Sequence, residues 1–466
     1  MPKLKEHLIG DRKFYRHVLA VALPIIVQMC ITNFVSLLDN VMVGRLSTEA
    51  MSGVSIVNQF IFVFNLLIFG AISAAGIFTA QYHGSGDVEG VRQTFRFKLI
   101  INVAATLLAM LVFTVLKEPL INSFLHESES TGDLAATFEF GCGYLRVMLI
   151  GLIPYAVSQV YASTLRETGE TLVPMCASLI AVFTNLVFNY ILIFGKLGAP
   201  ALGVEGAAIA TVISRFIELA ILLVWTHTHG GRVKFIKGIY RSLRVPAQLL
   251  RSICIKGLPL VANELLFALA LTFRNQFYST RGLDVVASLN IATTVINLFN
   301  VVYLALGSAI AIIVGNLLGA GKTDEARLTA SRMITFSIFA AFVMGFALIC
   351  TSPAIPLMYN VGEPVRELAS YMLVCAAFIM PFQAFNNACY YTFRAGGRIL
   401  ATVMLDSGML WCVIIPLSFI FANFTSLGIL ILFPLCQALD ALKSIFGAFY
   451  LKRGSWARRL VIDRQE

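Results

Sequence analysis

Residues Pro24–Asn40 read PIIVQMCITNFVSLLDN, and residues Pro259–Asn275 read PLVANELLFALALTFRN. These two stretches begin a longer repeat, because residues 24–92 align without a gap with residues 259–327. The period is about half the chain, which is far too long for a solenoid and indicates two copies of one unit. Repeats of this size in an apolar chain are typical of transporters, in which the substrate site lies between the two copies.

The composition places the chain in a membrane. Of 466 residues, 58% are hydrophobic and 13% are charged, which is about half the charged share of a soluble domain. Twelve apolar runs each exceed the roughly 20 residues that cross a bilayer as a helix. They cover residues 17–43, 51–79, 93–116, 137–161, 172–194, 203–225, 253–279, 284–314, 330–351, 368–392, 399–421 and 427–450. We predict an all-α polytopic membrane protein with twelve transmembrane helices. Six fall in each half, and an even number makes the repeat parallel.

Lys and Arg residues give the expected orientation. Placing the N-terminus in the cytoplasm puts 26 of the 35 Lys and Arg residues on that side, as the positive-inside rule requires. The outer loops then hold five: Arg45, Lys117, Lys196, Arg281 and Arg366. We expect a multi-pass protein of the cell inner (cytoplasmic) membrane with both termini cytoplasmic. The basic residues that give the net charge of +10 are distributed along the expected cytoplasmic face of the membrane. We therefore expect lipid as a partner and do not expect nucleic acid.

The two copies define the predicted domains. We predict an N-lobe at residues 1–225, a cytoplasmic linker at residues 226–252 and a C-lobe at residues 253–466. The segment 226–256 carries seven basic residues with apolar residues between them. It is either an amphipathic helix lying on anionic lipid or a plain solvated linker.

Polar residues within the first apolar run mark a candidate site, because polar groups are costly in a bilayer. Gln28, Thr32, Ser36 and Asp39 recur at helical spacing on one face. We expect this face to line a cavity and Asp39 to be functional. The alternative is that Asp39 lies near the outer helix end and simply reaches water.

Two later runs add oxygen ligands to this candidate site. Asn185 and Asn189 are four residues apart and share a helix face. The sixth run begins with the small residues of Gly203–Ala208, which suit close helix packing, and then presents Thr211. One carboxylate, two amides and a hydroxyl form a hard-oxygen set that suits Na⁺, and the carboxylate alone could carry H⁺. Alternatively, both asparagines only join helices through hydrogen bonds.

The second half carries different charges. Glu264 and Asp406 are candidate ion or substrate sites, and Arg274 occupies the position equivalent to Asp39. Glu264 lies about 15 Å along a helix from Arg274 and cannot pair with it. Alternatively, Glu264 is solvated and Asp406 pairs with Arg394 or Arg398. Arg274 is better interpreted as a structural ion-pair partner.

Two charged pairs on the last helix of each half are expected to neutralise themselves locally. Arg215 with Glu218 and Asp440 with Lys443 have (i, i+3) spacing.

Several other patterns carry no chemistry of their own. The turns Gly84-Ser85-Gly86 and Gly319-Ala320-Gly321 lack a following Lys-Ser/Thr, so we interpret them as helix C-caps and sharp turns. The nine cysteines are scattered singly without metal-ligand spacing. No nucleophile–base pair is evident either, so we expect neither an enzyme nor a bound cofactor apart from a coupling ion.

In the order and spacing of its motifs, the chain resembles the multidrug and toxic compound extrusion (MATE) family along nearly its whole length. The first half carries Leu38-Asp39-Asn40-Val41-Met42-Val43-Gly44 and Ala80-Gln81-Tyr82-His83-Gly84-Ser85-Gly86-Asp87. It continues with Asn185 to Gly195 and with Gly203 to Thr211. The second half adds Gly319-Ala320-Gly321 and Arg394-Ala395-Gly396-Gly397.

The resemblance implies two six-helix lobes in a V with a central cavity, and antiport of organic cations against Na⁺ or H⁺. It also implies small-molecule drugs as substrates, and we expect a monomer. The family's N-lobe cation site would fall on Asp39, Asn185, Asn189 and Thr211. Some members have Asp where this chain has Asn189. Glu264 resembles a glutamate of one branch of the family. The second candidate is a lipid-linked oligosaccharide or lipid flippase of the same superfamily, which would need a cationic cavity.

Overall fold

The computed structural model describes residues 8–122, 133–359 and 361–461. A few residues within these ranges are described by their backbone alone: Ser36, Leu37, Asn40, Val41, Thr48 and Leu283. Twelve helices in the described part of the chain are long and apolar enough to cross a membrane. The same ranges contain no β-strand. The protein is therefore a multi-pass, all-α membrane protein, as the hydropathy pattern predicts.

The first six membrane helices contain nearly all of each predicted apolar run, and most extend beyond it by a few residues. They are α1 Arg12–Gly44, α2 Thr48–Ser85, α3 Val88–Val115, α4 Leu134–Glu167, α5 Leu172–Phe194 and α6 Gly203–Thr228. A short helix, Lys117–Asn122, follows α3. The start of α3 is capped by Asp87, whose carboxylate accepts from the Gly90 N–H at 2.8 Å. Such caps satisfy backbone groups that a helix leaves free at its N-terminus.

The last six membrane helices include one that is interrupted by π-helical turns. They are α7 Ala247–Ser279, α8 Leu283–Gly319, α9 Thr323–Thr351, α10 Glu363–Ala395, α11 Ile399–Asn423 and α12 Ile429–Arg453. Two π-helical turns, Met404–Gly408 and Leu410–Ile414, interrupt α11. Turns of this kind are rare and occur frequently at functional sites. The first of them contains Asp406, a residue selected from its charge alone.

The described chain divides into two compact units. One unit comprises residues 27–79 and 87–257, and its apolar core includes Phe60, Tyr144, Met148 and Ile193. The other comprises the residues up to Ile26, the segment Ala80–Gly86 and the residues from Leu258 onward. Its core includes Tyr278, Met372, Met380, Ile414 and Phe433. The predicted domain boundaries after residue 225 and before residue 253 stay a prediction.

The two glycine turns of the repeat have a packing role that goes beyond helix capping. Gly86 and Gly321 have φ values of +78° and +77°, which glycine adopts readily. A Cβ atom on Gly84 would lie 1.9 Å from the carbonyl oxygen of Asn316, and one on Gly319 would lie 1.9 Å from that of Gln81. The ends of α2 and α8 therefore meet backbone to backbone at a point where only glycine fits.

The linker is not an amphipathic helix on a lipid surface. It contains two short 3₁₀ turns, Lys234–Ile236 and Ile239–Arg241, with Phe235, Ile236 and Ile239 buried. Arg92 and Arg96 of α3 donate to the carbonyls of Phe235 at 3.0 Å and Ile239 at 2.9 Å. The apolar residues between the basic ones are therefore anchors onto the protein itself, which also overturns the alternative of a plain solvated segment.

Candidate functional site

Close packing of α5 against α6 positions the polar residues of the first half. A Cβ atom on Gly206 would lie 2.6 Å from the Leu192 carbonyl oxygen, and Ala207 and Ala208 are buried. The small-residue start of α6 thus lets the two backbones approach, as the sequence indicates. One turn further along α6, Thr211 faces Asn185 across this contact, and Asn185 Nδ2 lies 3.2 Å from Thr211 Oγ1.

The structure brings Asp39 of α1 into the same cluster. Asn189 Nδ2 donates to Asp39 Oδ1 at 2.6 Å and to Asn185 Oδ1 at 3.2 Å. A bond this short is typical of a charge-assisted donor to a carboxylate. Asn185 and Asn189 are both buried, with 6% and 1% of their surface exposed. The four predicted residues therefore form one cluster shared by three helices.

The amide of Asn185 can serve this cluster in two ways. One end of it lies 3.0 and 3.1 Å from the two Asp39 oxygens, and the other lies 3.2 Å from Thr211 Oγ1. With nitrogen toward Asp39, the amide donates to the carboxylate. With oxygen toward Asp39, two acceptors face each other and can be joined only by a proton or a cation.

A second oxygen in the cluster could also accept from a proton or bind a cation. The Asn189 Oδ1 atom is buried and has no hydrogen-bond partner among the described residues. An unsatisfied buried carbonyl oxygen costs free energy that a bound cation would recover. Nowhere in the described ranges do three His, Cys, Asp or Glu side chains group together as metal ligands. The cluster therefore fits a hard monovalent cation or a proton better than a transition metal.

Arg215 is the positive charge nearest to this cluster along α6. It interacts electrostatically with Asp39, and its guanidinium lies 4.2 Å from the centre of the Tyr155 ring. The predicted local pair with Glu218 is an electrostatic attraction and not a contact ion pair, since within the described chain no ion pair joins the two side chains. The cation–π contact with Tyr155 holds the guanidinium instead, because helix packing and not (i, i+3) spacing decides where it points.

The three predicted cavity-lining residues of α1 have different surroundings. Gln28 is half-buried and accepts from Arg166 Nη1 at 3.3 Å. Thr32 is exposed. The side chain of Ser36 lies outside the described part of the structure. Gln28 is thus tied to α4.

In the second half, the charged residues pair across helices and not along one helix. Arg274 of α7 pairs with Asp440 of α12 at 3.0 Å, and Lys443 pairs with Asp406 at 3.3 Å. The predicted (i, i+3) pair of Asp440 with Lys443 is therefore wrong, as is Arg394 or Arg398 as the partner of Asp406. Arg274 is an ion-pair partner, as we predicted from the sequence.

Glu264 and Asp406 are both neighbours of Asn263, the first along the chain and the second through a hydrogen bond. Tyr390 of α10 donates to Glu264 Oε1 at 2.9 Å, and Asn263 Nδ2 donates to Asp406 Oδ2 at 2.9 Å. Asn263 is completely buried, and its oxygen accepts from the Ser407 N–H in the first π-helical turn. The two predicted acids therefore belong to one polar region, with Arg274 in a separate pair.

Sequence reasoning missed a buried ion pair at the end of α4. Lys98 is one of the 26 basic residues that the predicted orientation places on the cytoplasmic side, yet its side chain is completely buried and pairs with Glu167. Ser163 and Thr164 each lie 3.3 Å from its ammonium. The available signal was its position inside the third predicted membrane-spanning run, residues 93–116, where an unpaired lysine would be costly.

The comparison with family models decides the family. The MatE family model matches residues 24–191 and 259–420, once in each copy of the repeat. The chain belongs to the MatE family. The two matches begin at Pro24 and Pro259, the positions at which the internal repeat begins.

Named relatives of this MatE protein cover most or nearly all of its length. It is 23% identical over 451 residues to a protein from Thermotoga maritima named probable multidrug resistance protein NorM, covering 97% of this chain and 95% of that one. It is 28% identical over 381 residues to multidrug resistance protein MdtK of Pectobacterium atrosepticum, covering 80% and 79%.

Solved structures share the fold. The Vibrio cholerae MATE transporter VcmN superimposes with a TM-score of 0.85 at 17% identity, covering 95% of this chain and 97% of that one. A MOP superfamily transporter from Pyrococcus furiosus superimposes with a TM-score of 0.84 at 20% identity, covering 97% and 98%. At these identities, the likeness shows the twelve-helix MATE fold alone.

Proposed function

We propose that this MatE protein is a cation-coupled multidrug efflux antiporter that exports organic cations and amphipathic compounds, with Na⁺ or H⁺ as the coupling ion. The observation that carries the proposal is the buried cluster of Asp39, Asn185, Asn189 and Thr211, in which the Asn189 Oδ1 atom lacks a partner. We infer drug substrates from the names of the NorM and MdtK relatives, which are multidrug resistance proteins.

The mechanism follows from the charge of Asp39. While ionised, its carboxylate holds α1 to α5 through the 2.6 Å bond from Asn189. A bound cation or proton neutralises the carboxylate and weakens this charge-assisted bond. The ion then favours a state in which α1 is released from α5. This drives export only if the ion binds the two transport states unequally.

The cellular setting follows from the basic residues. We place the protein in the inner membrane with both termini cytoplasmic, because that orientation satisfies the positive-inside rule. Its partners would be small-molecule drugs, the coupling cation and membrane lipid, and it would work as a monomer.

The flippase alternative is weakened by the surroundings of Arg274. A pyrophosphate-bearing substrate needs unpaired positive charge, and Asp440 neutralises Arg274 at 3.0 Å. We therefore do not propose it.

The test is cationic dye efflux from proteoliposomes of the full chain, with a Na⁺ gradient and a pH gradient imposed separately. Efflux under the Na⁺ gradient alone would make the cluster a sodium site. Efflux under the pH gradient alone would make Asp39 or Glu264 a proton carrier. Absence of efflux under both gradients, for several cationic dyes, would refute the proposal.

A further inference from the structure

The linker between α6 and α7 carries positive charge that it does not balance itself. Residues 226–256 contain seven Lys and Arg residues and no Asp or Glu. Six of the seven are exposed: Arg232, Lys234, Lys237, Arg241, Arg244 and Arg251. Arg232 pairs with Glu170. Among the described residues, the other five form no ion pair, so the linker presents five unbalanced charges between Lys234 and Arg251.

The basic residues of α3, against which the linker packs, differ in this respect. Arg92 and Arg96 both pair with Glu89, at 3.1 and 2.9 Å. Lys98 pairs with the Glu167 carboxylate. Each of these charges therefore joins parts of the protein to one another. The five linker charges make no such contact within the described chain, which leaves them available to a partner outside it.

The backbone of the linker is held in place, although its charged side chains are exposed. Arg92 donates to the carbonyls of Lys234 at 3.3 Å and Phe235 at 3.0 Å. Arg96 donates to the carbonyl of Ile239 at 2.9 Å. The inner side of the linker is thus bound to α3. A partner that binds the exposed side does not have to order this backbone, and ordering is one of the main costs of binding.

Apolar side chains are exposed beside these charges. Tyr240 and Leu243 have 53% and 58% of their surface exposed, and Leu250 and Ile255 at the start of α7 have 44% and 61%. Arg251 lies between the last two in sequence. The linker joins two membrane helices, so it lies at a membrane face. Exposed apolar and basic side chains that occur together there are typical of the boundary between hydrocarbon and lipid headgroups.

This combination fits the headgroup of an anionic phospholipid. A phosphodiester is negatively charged and accepts charge-assisted hydrogen bonds from ammonium and guanidinium groups. Clusters of Lys and Arg beside a membrane helix bind such headgroups. The exposed Tyr240 and Leu243 side chains can contact the upper part of the acyl chains, which a soluble anion does not have.

We propose that the linker binds anionic phospholipid through Lys234, Lys237, Arg241, Arg244 and Arg251. The linker differs from an amphipathic helix, because its buried apolar residues contact the protein and its basic side chains contact the lipid phosphates. The bound lipid holds the ends of α6 and α7 at the membrane face. This inference goes beyond the proposed antiport and depends neither on the coupling ion nor on the transported compounds.

The test measures lipid binding by the full chain in an uncharged detergent. The probe is phosphatidylglycerol with a fluorescent acyl chain, and phosphatidylcholine with the same chain is the neutral reference. The wild type should bind phosphatidylglycerol at least about tenfold more tightly, because each basic residue near an anionic headgroup contributes about fivefold. The triple variant Lys237→Gln, Arg241→Gln and Arg244→Gln should lose about a hundredfold in affinity for phosphatidylglycerol and none for phosphatidylcholine.

The matched control is the triple variant Arg12→Gln, Lys13→Gln and Arg16→Gln. It removes three exposed basic residues from the start of α1, on the same expected side of the membrane. This control should bind phosphatidylglycerol as tightly as the wild type does. An equal loss in the two triple variants would overturn the inference, because total charge and not the linker would then decide the affinity. Equal binding of the two lipids by the wild type would overturn it as well.

A competition experiment separates lipid from soluble phosphate. Inorganic phosphate, added at matched ionic strength, should not displace phosphatidylglycerol, since it lacks the acyl chains. Displacement would assign the surface to a soluble phosphate and overturn the lipid assignment. If the triple linker variant does not fold, Lys237→Gln, Arg241→Gln and Arg244→Gln are measured singly, and each should lose about fivefold. Wild-type affinity in all three single variants would overturn the inference.

Discussion

At the scale of single residues, the Asp39 cluster combines what sequence can and cannot predict. Asn185 and Asn189 are predictable neighbours because four residues make one helical turn. The amide orientation of Asn185 and the unpartnered oxygen of Asn189 are not predictable. Both depend on the rotation of α1 and α6 about their axes, which tertiary packing sets.

Asp39→Asn should abolish ion-driven efflux, because an amide neither ionises nor holds a cation as a carboxylate does. We expect a loss of at least about a hundredfold in the initial rate, measured as dye efflux under each gradient. Asn58→Ala is a suitable control, since Asn58 accepts only a weak bond from Tyr144 at 3.5 Å. Wild-type transport by Asp39→Asn would remove the cluster from the mechanism.

Asn189→Ala should weaken binding of the coupling ion without removing it. The substitution deletes one oxygen ligand and one donor to Asp39, and a single such interaction contributes about 1 kcal/mol, or several-fold in affinity. The measurement is the ion concentration that gives half-maximal efflux. An unchanged concentration would mean that Asn189 only joins α5 to α1.

The second-half ion pairs show why charge spacing alone misassigned partners. Arg274 and Asp440 are 166 residues apart, so no local rule joins them. The (i, i+3) spacing of Asp440 and Lys443 is compatible with a pair, but each residue has a partner on another helix at close range. Burial decides the choice, since charges within a bilayer pair where packing brings them together.

Asp440→Asn should destabilise the protein by about 3 kcal/mol, because it leaves the guanidinium of Arg274 buried without its counter-charge. The exposed pair of Lys322 with Glu325 at 3.1 Å is the matched control. Glu325→Gln there should cost less than about 1 kcal/mol. Unfolding in mixed micelles measures both, and equal effects would show that the buried pair does not contribute more.

At the scale of whole helices, the internal sequence repeat corresponds to a pair of equivalent contacts between α2 and α8. Gln81 and Gly84 at the end of α2 are equivalent to Asn316 and Gly319 at the end of α8. The structure places Gly84 on Asn316 and Gly319 on Gln81, so each contact is the repeat-related copy of the other. The twelve helices were predictable from apolar length, because a bilayer leaves the backbone few alternatives. The contact between the ends of α2 and α8 was not predictable, because a glycine in a turn does not indicate which residue it packs against in the folded protein.

Gly84→Ala should lower the melting temperature of the purified protein. The new methyl group cannot be accommodated 1.9 Å from a backbone oxygen without separating the two helix ends. Overpacking of this kind costs about 1–3 kcal/mol. Gly231→Ala is the control, because a Cβ atom there meets nothing within 4 Å. Similar melting of the two variants would show that the helix ends separate at little cost.

At the scale of the whole molecule, the C-terminal segment ties together distant parts of the chain. Gln81 donates to the carbonyls of Ala395 at 2.9 Å and Arg458 at 3.2 Å, and it accepts from the Leu460 N–H at 2.6 Å. Trp456 in the same segment is only 2% exposed. The basic character of this segment predicts its side of the membrane, whereas its docking depends on contacts with residues more than three hundred positions away.

Truncation after Gly454 should therefore lower the melting temperature, because it leaves the buried Gln81 amide with only its bond to the Ala395 carbonyl and removes the Trp456 side chain. Trp456→Ala alone should cost about 3–5 kcal/mol, the range for a large aromatic residue deleted from a core. Deletion of residues 462–466 is the matched control, since it leaves each of these contacts in place. If the variant truncated after Gly454 has the same melting temperature as that control, the C-terminal segment does not stabilise the fold. The burial of Gln81 must then be maintained by α2 and α10 alone.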